Sequence, residues 1–176
     1  IEGDTIIAGA VYDDDNGSAS GSAYVFTYSG STWSQQAKLT ASDGAADDWF
    51  GKGVAVDGDN ALVGAKSADI GGVSKGAVYA FSRSGSSWSQ DQKLTASTAA
   101  SGDEFGVAID LDVDNSVCVI GARGRNSGIL PGVGTAFIFR LSSGTWSEED
   151  EISPPTAQAL LRYGAAVAIE GDRLVV

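Results

Sequence analysis

Phe50-Gly51-Lys52-Gly53-Val54-Ala55-Val56-Asp57-Gly58-Asp59-Asn60-Ala61-Leu62-Val63-Gly64-Ala65 is two short runs of small and apolar residues hinged on Asp-Gly-Asp-Asn. Runs of this length around such a turn predict a tight antiparallel hairpin. The stretch also recurs. Phe50-Gly51 returns as Phe105-Gly106 and Tyr163-Gly164, at spacings of 55 and 58, and Gly64-Ala65 has counterparts in Gly9-Ala10 and Gly121-Ala122. Ile1-Glu2-Gly3-Asp4 comes back as Ile169-Glu170-Gly171-Asp172. Self-similarity at a fixed period is the signature of a repeat architecture.

Two further landmarks complete each repeat. GSAYVF, GAVYAF and GTAFIF begin at Gly21, Gly76 and Gly134, and Trp33, Trp88 and Trp146 each open a polar stretch such as QQAKLT or DQKLT. Four strands per repeat follow, with different chemistry. The first is built of Gly, Ala and Val, as a strand crowded near an axis requires. The second and third are nearly continuous apolar runs, which need cover on both faces, whereas a two-layer sandwich would show alternation. The fourth is polar and carries Lys38 or Lys93, as an outer edge should. Small inside, doubly buried in the middle and polar outside describes one blade of a β-propeller, a four-stranded antiparallel meander. The expected fold is therefore all-β, with about three consecutive blades of a larger propeller.

Composition narrows the function. The formal charge of −12 repels phosphate backbones and anionic lipid, so nucleic acid is excluded as a partner, and no apolar run is long enough for membrane insertion. The absence of His removes Ser-His and Cys-His catalysis and most zinc sites. The single cysteine, Cys118, sits in SVCVIGA and reads as a buried small hydrophobe.

FGKGVAVDGDNALVGA resembles the FG-GAP repeat, with Phe-Gly opening the inner strand and Val-Gly-Ala ending the second. The Ala-rich variety with Asp-Gly-Asp turns is similar to propeller repeats of secreted or surface proteins and, more distantly, to the propeller of integrin α chains. The resemblance covers residues 1–176 as one partial propeller domain. Its repeats run approximately over 1–49 (lacking most of the first strand), 50–104 and 105–162, with 163–176 starting the next blade. Three repeats do not close a ring, so the remaining blades of the same propeller are expected partners and the true N-terminus is expected elsewhere.

In such a meander the longer connections, residues 11–20, 66–75 and 123–133 together with 41–48 and 96–103, fall at one end, and function concentrates on long loops over a rigid scaffold. Integrin-type propellers engage partners on this face. Trp49, where the other repeats have Glu104 and Arg162, is either a recognition anchor beside Asp47 and Asp48 or an aromatic folded over Phe50. The candidate ligand-binding residues are thus Trp49, Asp47, Asp48, Asp103 and Glu104. Calcium, which the integrin-type repeat holds in an extended acidic loop, has two weak candidates. Asp110, Asp112 and Asp114 have the spacing, but Cys118 stands where a further carboxylate is needed, and a lengthened strand is the competing reading. Asp13-Asp14-Asp15-Asn16 reads first as turn chemistry, since Asp14 aligns with Asp69 and Asn126. No catalytic residue, metal ligand or cofactor is assigned. The expected function is a non-catalytic extracellular or cell-surface module for protein or glycan binding. The alternatives are a secreted hydrolase or lyase using carboxylates such as Asp48 and Asp103 near the axial channel, and a purely structural spacer.

Overall fold

The computed structural model describes all 176 residues, Ile1–Val176. It contains strands and no helix. β1 (Thr5–Ala10), β2 (Ser22–Tyr28) and β3 (Trp33–Leu39) form a first sheet; β4 (Phe50–Asp57), β5 (Asn60–Ala65), β6 (Ala77–Ser84) and β7 (Ser87–Leu94) form a second. β8 (Ala108–Asp112), β9 (Val117–Ala122), β10 (Thr135–Ser142) and β11 (Thr145–Ile152) form a third, and β12 (Ala168–Glu170) pairs with β13 (Arg173–Val175). Within each sheet, strands consecutive in the chain pair antiparallel, as in propeller blades, and the sheets do not close on themselves. One feature of the register was not legible in advance: a β-bulge falls at the same place in each outer pair, between Val25 and Phe26, Ala80 and Phe81, and Ile138 and Phe139. A bulge bends its strand and raises the local twist, here three times alike.

The apolar runs are explained by the two cores that flank the second sheet. Alternate residues of β5 and β6 point opposite ways. Val63, Tyr79 and Phe81 join Ile7, Val25, Leu39 and Phe50 in a cluster with the first sheet. Leu62, Val78 and Ala80 join Phe105, Cys118, Ile120 and Phe137 in a cluster with the third. Both faces are dry, and each large side chain so buried is worth roughly 1.5–3 kcal/mol. The Phe of each Phe-Gly pair is the wedge. Phe50 and Phe105 are fully buried; Phe50 meets Tyr79 at 5.5 Å between ring centroids and Phe105 meets Phe137 at 5.5 Å. Cys118 is buried in the second of these cores, and burial raises its thiol pKa.

The glycines of the repeat make the sheet-to-sheet contact itself. A Cβ added at Gly64 would lie 2.0 Å from the carbonyl oxygen of Gly106; the equivalent distances are 1.8 Å for Gly9 against Gly51 and 1.9 Å for Gly121 against Gly164. The Gly of one Gly-Ala therefore docks on the Gly of the next Phe-Gly, backbone on backbone. Gly51 and Gly106 also have φ of 90°, which side chains rarely adopt.

The three tryptophans behave as interblade plugs where a preceding sheet exists. Trp146 is 6% exposed, with its backbone bonded to both side-chain ends of Gln92 at 2.9 and 2.8 Å. Trp88 is half-buried and its Nε1 donates to Gln36 Oε1 at 2.8 Å. Trp33 differs: it is 42% exposed and leans on Tyr28, because no sheet lies on that side of β3.

Candidate functional site

The long connections do share one end, and they are stitched together there. Residues entering each inner strand donate backbone N–H groups to the preceding repeat: Asp47 to Ser18, Trp49 to Ala19 and Phe50 to Ser20, then Gly102 to Ser74 and Phe105 to Lys75, then Leu160 to Pro131 and Arg162 to Gly132. To aim these donors, the corner goes left-handed twice per repeat. The φ values are 65° and 58° at Asp47 and Trp49, 80° and 57° at Gly102 and Glu104, and 60° and 56° at Leu160 and Arg162. Recurrence in three sequences with different side chains assigns this backbone to the corner, and Trp49 is no exception within it.

Beside the first corner lies a cleft of about 420 Å³, lined by Ala46, Asp47, Asp48, Trp49, Ser67, Asp69 and Ser74. Two residues distinguish this place from its counterpart one repeat on. Ser67 stands where the next repeat has Gly124, and a Cβ at Gly124 would lie 2.0 Å from the carbonyl oxygen of Gly102. The loop N–H donates to the corner carbonyl in both repeats, Gly124 to Asp103 at 3.0 Å and Ser67 to Asp48 at 3.2 Å, so the difference at this point lies in the side chain. Ala68 stands where the next repeat has Arg125, whose guanidinium reaches Asp103 Oδ2 at 2.9 Å. Asp48 and Asp103 are the same position, 6% and 3% exposed, and each accepts a backbone N–H at 2.8 Å, from Ala45 and Ala100 respectively. Asp48 has no side-chain cation to match Arg125, and burial raises its pKa, with the Ala45 hydrogen bond and the Lys93 charge opposing and the neighbouring Asp69 and Asp43 charges adding to the rise.

Of the predicted residues, Asp47, Asp48 and Trp49 come together in this cleft. The Trp49 ring meets Tyr12 and Lys66: it packs edge-on to Tyr12 at 5.7 Å, and Lys66 Nζ lies 4.3 Å from its centroid. Asp103 and Glu104 lie one repeat on, tied within the fold. Asp103 holds Arg125, while Glu104 takes Lys66 at 3.1 Å and Arg123 at 2.5 Å. Burial opposes ionisation of Glu104, but these two cations outweigh it and hold its carboxyl below the usual range. Tyr12, Trp49, Lys66, Glu104 and Arg123 thus form a row across successive repeats. Lys66 and Arg123 share the position after Gly-Ala, so the sequence itself carries a signal for this row. Asp69, aligned with Asp14 and Asn126, takes a different place from either. Its aligned partners bond across their own loops, Asp14 accepting from Ala19 N at 2.8 Å and Asn126 from Gly132 N at 2.9 Å, whereas Asp69 lines the cleft.

The acidic loop before it is also internally engaged. Asp13 accepts from Ser22 and from the Tyr24 hydroxyl and pairs with Lys38 at 3.2 Å, which also meets Asp15 at 2.5 Å. Those hydrogen bonds hold Asp13 down to about 2. Arg125 and Glu151, 3.0 Å apart, occupy the positions of Asp13 and Lys38 with the charges exchanged.

A second concavity, an open groove of about 960 Å³, runs along the inner strands and is lined by Asp57, Asp110, Asp112 and Glu170 among others, and by neither Asp48 nor Asp103. Three of these carboxylates have structural partners. Asp57 accepts from Val113 N, Asp110 from Ile169 N and Asp112 from Gly171 N, each at 2.7 Å. Each acid caps the free edge of the next inner strand, so the Asp110-to-Asp114 stretch is an extended strand followed by a turn. No group of three or more His, Cys, Asp or Glu side chains is arranged to hold a metal ion.

Successive four-stranded meanders, stitched by a Phe-Gly wedge and carrying their long loops at one end, define a β-propeller-like repeat module. The FG-GAP repeat profile matches residues 1–26, 33–81 and 88–139, and the chain belongs to the FG-GAP repeat family. The second and third matched segments start at Trp33 and Trp88, so each spans an outer strand and reaches into the third strand of the following four-stranded sheet. No curated protein matches the chain.

Proposed function

We propose that the chain is a non-catalytic binding module of an extracellular or cell-surface protein, engaging a protein or glycan on its loop-bearing end, with further blades of the same kind flanking it. The observation that carries this reading is the cleft at Asp47, Asp48 and Trp49, whose counterpart one repeat on holds Arg125 against Asp103. Its chemistry suits a ligand that presents hydroxyls or basic groups: a buried carboxylate with one oxygen not hydrogen-bonded, two more acids at the rim, and an indole to pack against. Arg125 on Asp103 shows what that carboxylate position accepts. The family's association with secreted and surface proteins supports the location. The groove acids support the non-catalytic side of the proposal, because their partners are backbone amides of the next strand.

The test is capture. The chain, displayed multivalently, is screened against glycan arrays and a panel of extracellular proteins, and hits are retested with Trp49→Asn, since Asn tolerates the left-handed backbone at this position. Loss of capture at unchanged melting temperature supports the cleft. Hits indifferent to Trp49→Asn and to Asp48→Asn refute it as the site, and turnover of a glycan or phosphoester by the chain refutes the non-catalytic reading.

A further inference from the structure

Asn16-Gly17-Ser18 is the one place in the chain that reads Asn-x-Ser/Thr with a residue other than Pro between. This pattern is the acceptor for N-linked glycosylation, and it functions only on an exposed loop. Chain-wide, the other asparagines fail it: Asn60 is followed by Ala-Leu, Asn115 by Ser-Val and Asn126 by Ser-Gly. The fold puts the one match where a glycan can stand. Asn16, Gly17 and Ser18 are all exposed, at the tip of the connection from β1 to β2, and Gly17 turns the chain with φ of 119°. Asn16 is held by its backbone N–H, which donates to Ser20 Oγ at 3.0 Å, and its Nδ2 donates to the Ala41 carbonyl at 3.3 Å. Amide glycosylation replaces one of the two Nδ2 hydrogens, so the second can keep the Ala41 contact. Ser18 is engaged only through its carbonyl, by Asp47 N–H at 2.8 Å.

From this placement we propose that Asn16 is an N-glycosylation site, an inference that rests on the extracellular reading above. In the reaction, Nδ2 forms a bond to the anomeric carbon of a lipid-linked oligosaccharide diphosphate. The bond from that carbon to the diphosphate breaks, the lipid diphosphate leaves with the electron pair, and Nδ2 gives up one proton. The glycan then shields the Asp13-to-Asp15 run and flanks the corner that carries Asp47 and Trp49.

The experiment expresses the full chain behind a secretion signal in a eukaryotic host and measures the intact mass of the secreted protein before and after peptide N-glycosidase. The expected result is one N-glycan, removed by the enzyme with conversion of Asn16 to Asp, lost in Asn16→Gln and in Ser18→Ala, and retained in Ser18→Thr. A folded, secreted chain with no glycan on Asn16 overturns the site and leaves the extracellular reading standing. A chain that fails to be secreted, in wild type and Asn16→Gln alike, overturns the extracellular reading and the site with it.

Discussion

Gly64→Ala is a severe test of the docking of one sheet on the next. The added methyl carbon would sit 2.0 Å from the carbonyl oxygen of Gly106, 2.8 Å from its carbonyl carbon and 3.0 Å from its Cα. All three are backbone atoms, so no rotamer change relieves the overlap, and the second and third sheets must separate by about an ångström before the contact becomes tolerable. That movement loosens the packing of Phe105 against Phe137 in the core between them. Overpacking in a rigid core costs about 1–3 kcal/mol and sometimes more, and the upper end is expected here because both sides of the clash are backbone. For a protein of this size about 3 kcal/mol lowers the melting temperature by roughly 6–12 °C. Gly58→Ala is the control. It sits in the hairpin turn with φ of 55° and nothing within 4 Å, so it loses only the left-handed preference, roughly 1–2 kcal/mol. Urea titrations followed by far-ultraviolet circular dichroism, with the two variants side by side, measure the difference. If Gly64→Ala costs no more than Gly58→Ala, the glycines do not set the distance between sheets and the docking argument fails.

Three further outcomes are expected. Asp48→Asn and Asp103→Asn, at equivalent positions, should shift the urea midpoint in opposite directions at neutral pH. The first removes a buried charge that lacks a matching cation, and its gain should vanish as pH falls through the raised pKa of Asp48, where the wild-type carboxyl also becomes neutral; the second strips Arg125 of its buried partner. Asp13, held at about 2 by Ser22, Tyr24 and Lys38 against an ordinary 3.8, contributes stability that is full above pH 4 and lost as pH falls toward 2, so the stability gap between wild type and Asp13→Asn should close across that interval in acid titrations. Phe105→Ala, which empties the wedge between the second and third sheets, should cost about 3–5 kcal/mol in the same urea assay.

Much of the fold is legible because repetition exposes it. Phe-Gly, Gly-Ala, the apolar third strand and the Trp recur in fixed order, and each marks a strand or a contact whose chemistry is local. The corner that gathers Asp47, Asp48 and Trp49 is legible for the same reason, since it precedes each Phe-Gly. Less visible are the pairings that cross from one repeat to the next. Asp57 to Val113, Lys66 to Glu104 and Gln92 to Trp146 link residues 38 to 56 positions apart, and their identity depends on which edges face each other after the sheets stack. Trp33 makes the same point: its sequence matches Trp88 and Trp146, yet it is exposed for want of a sheet beside it.

By itself, then, the sequence determined the kind of strand each segment makes and the period at which sheets follow one another, because hydrophobic pattern, glycine turns and β-branched runs act over a few residues. Tertiary structure decided which of several similar acids is buried alone, which is neutralised by an arginine and which caps a neighbouring strand. Those fates depend on desolvation and on partners brought within a few ångströms by stacking, and one hydroxymethyl group at Ser67 or one missing guanidinium at Ala68 is enough to make two homologous corners differ.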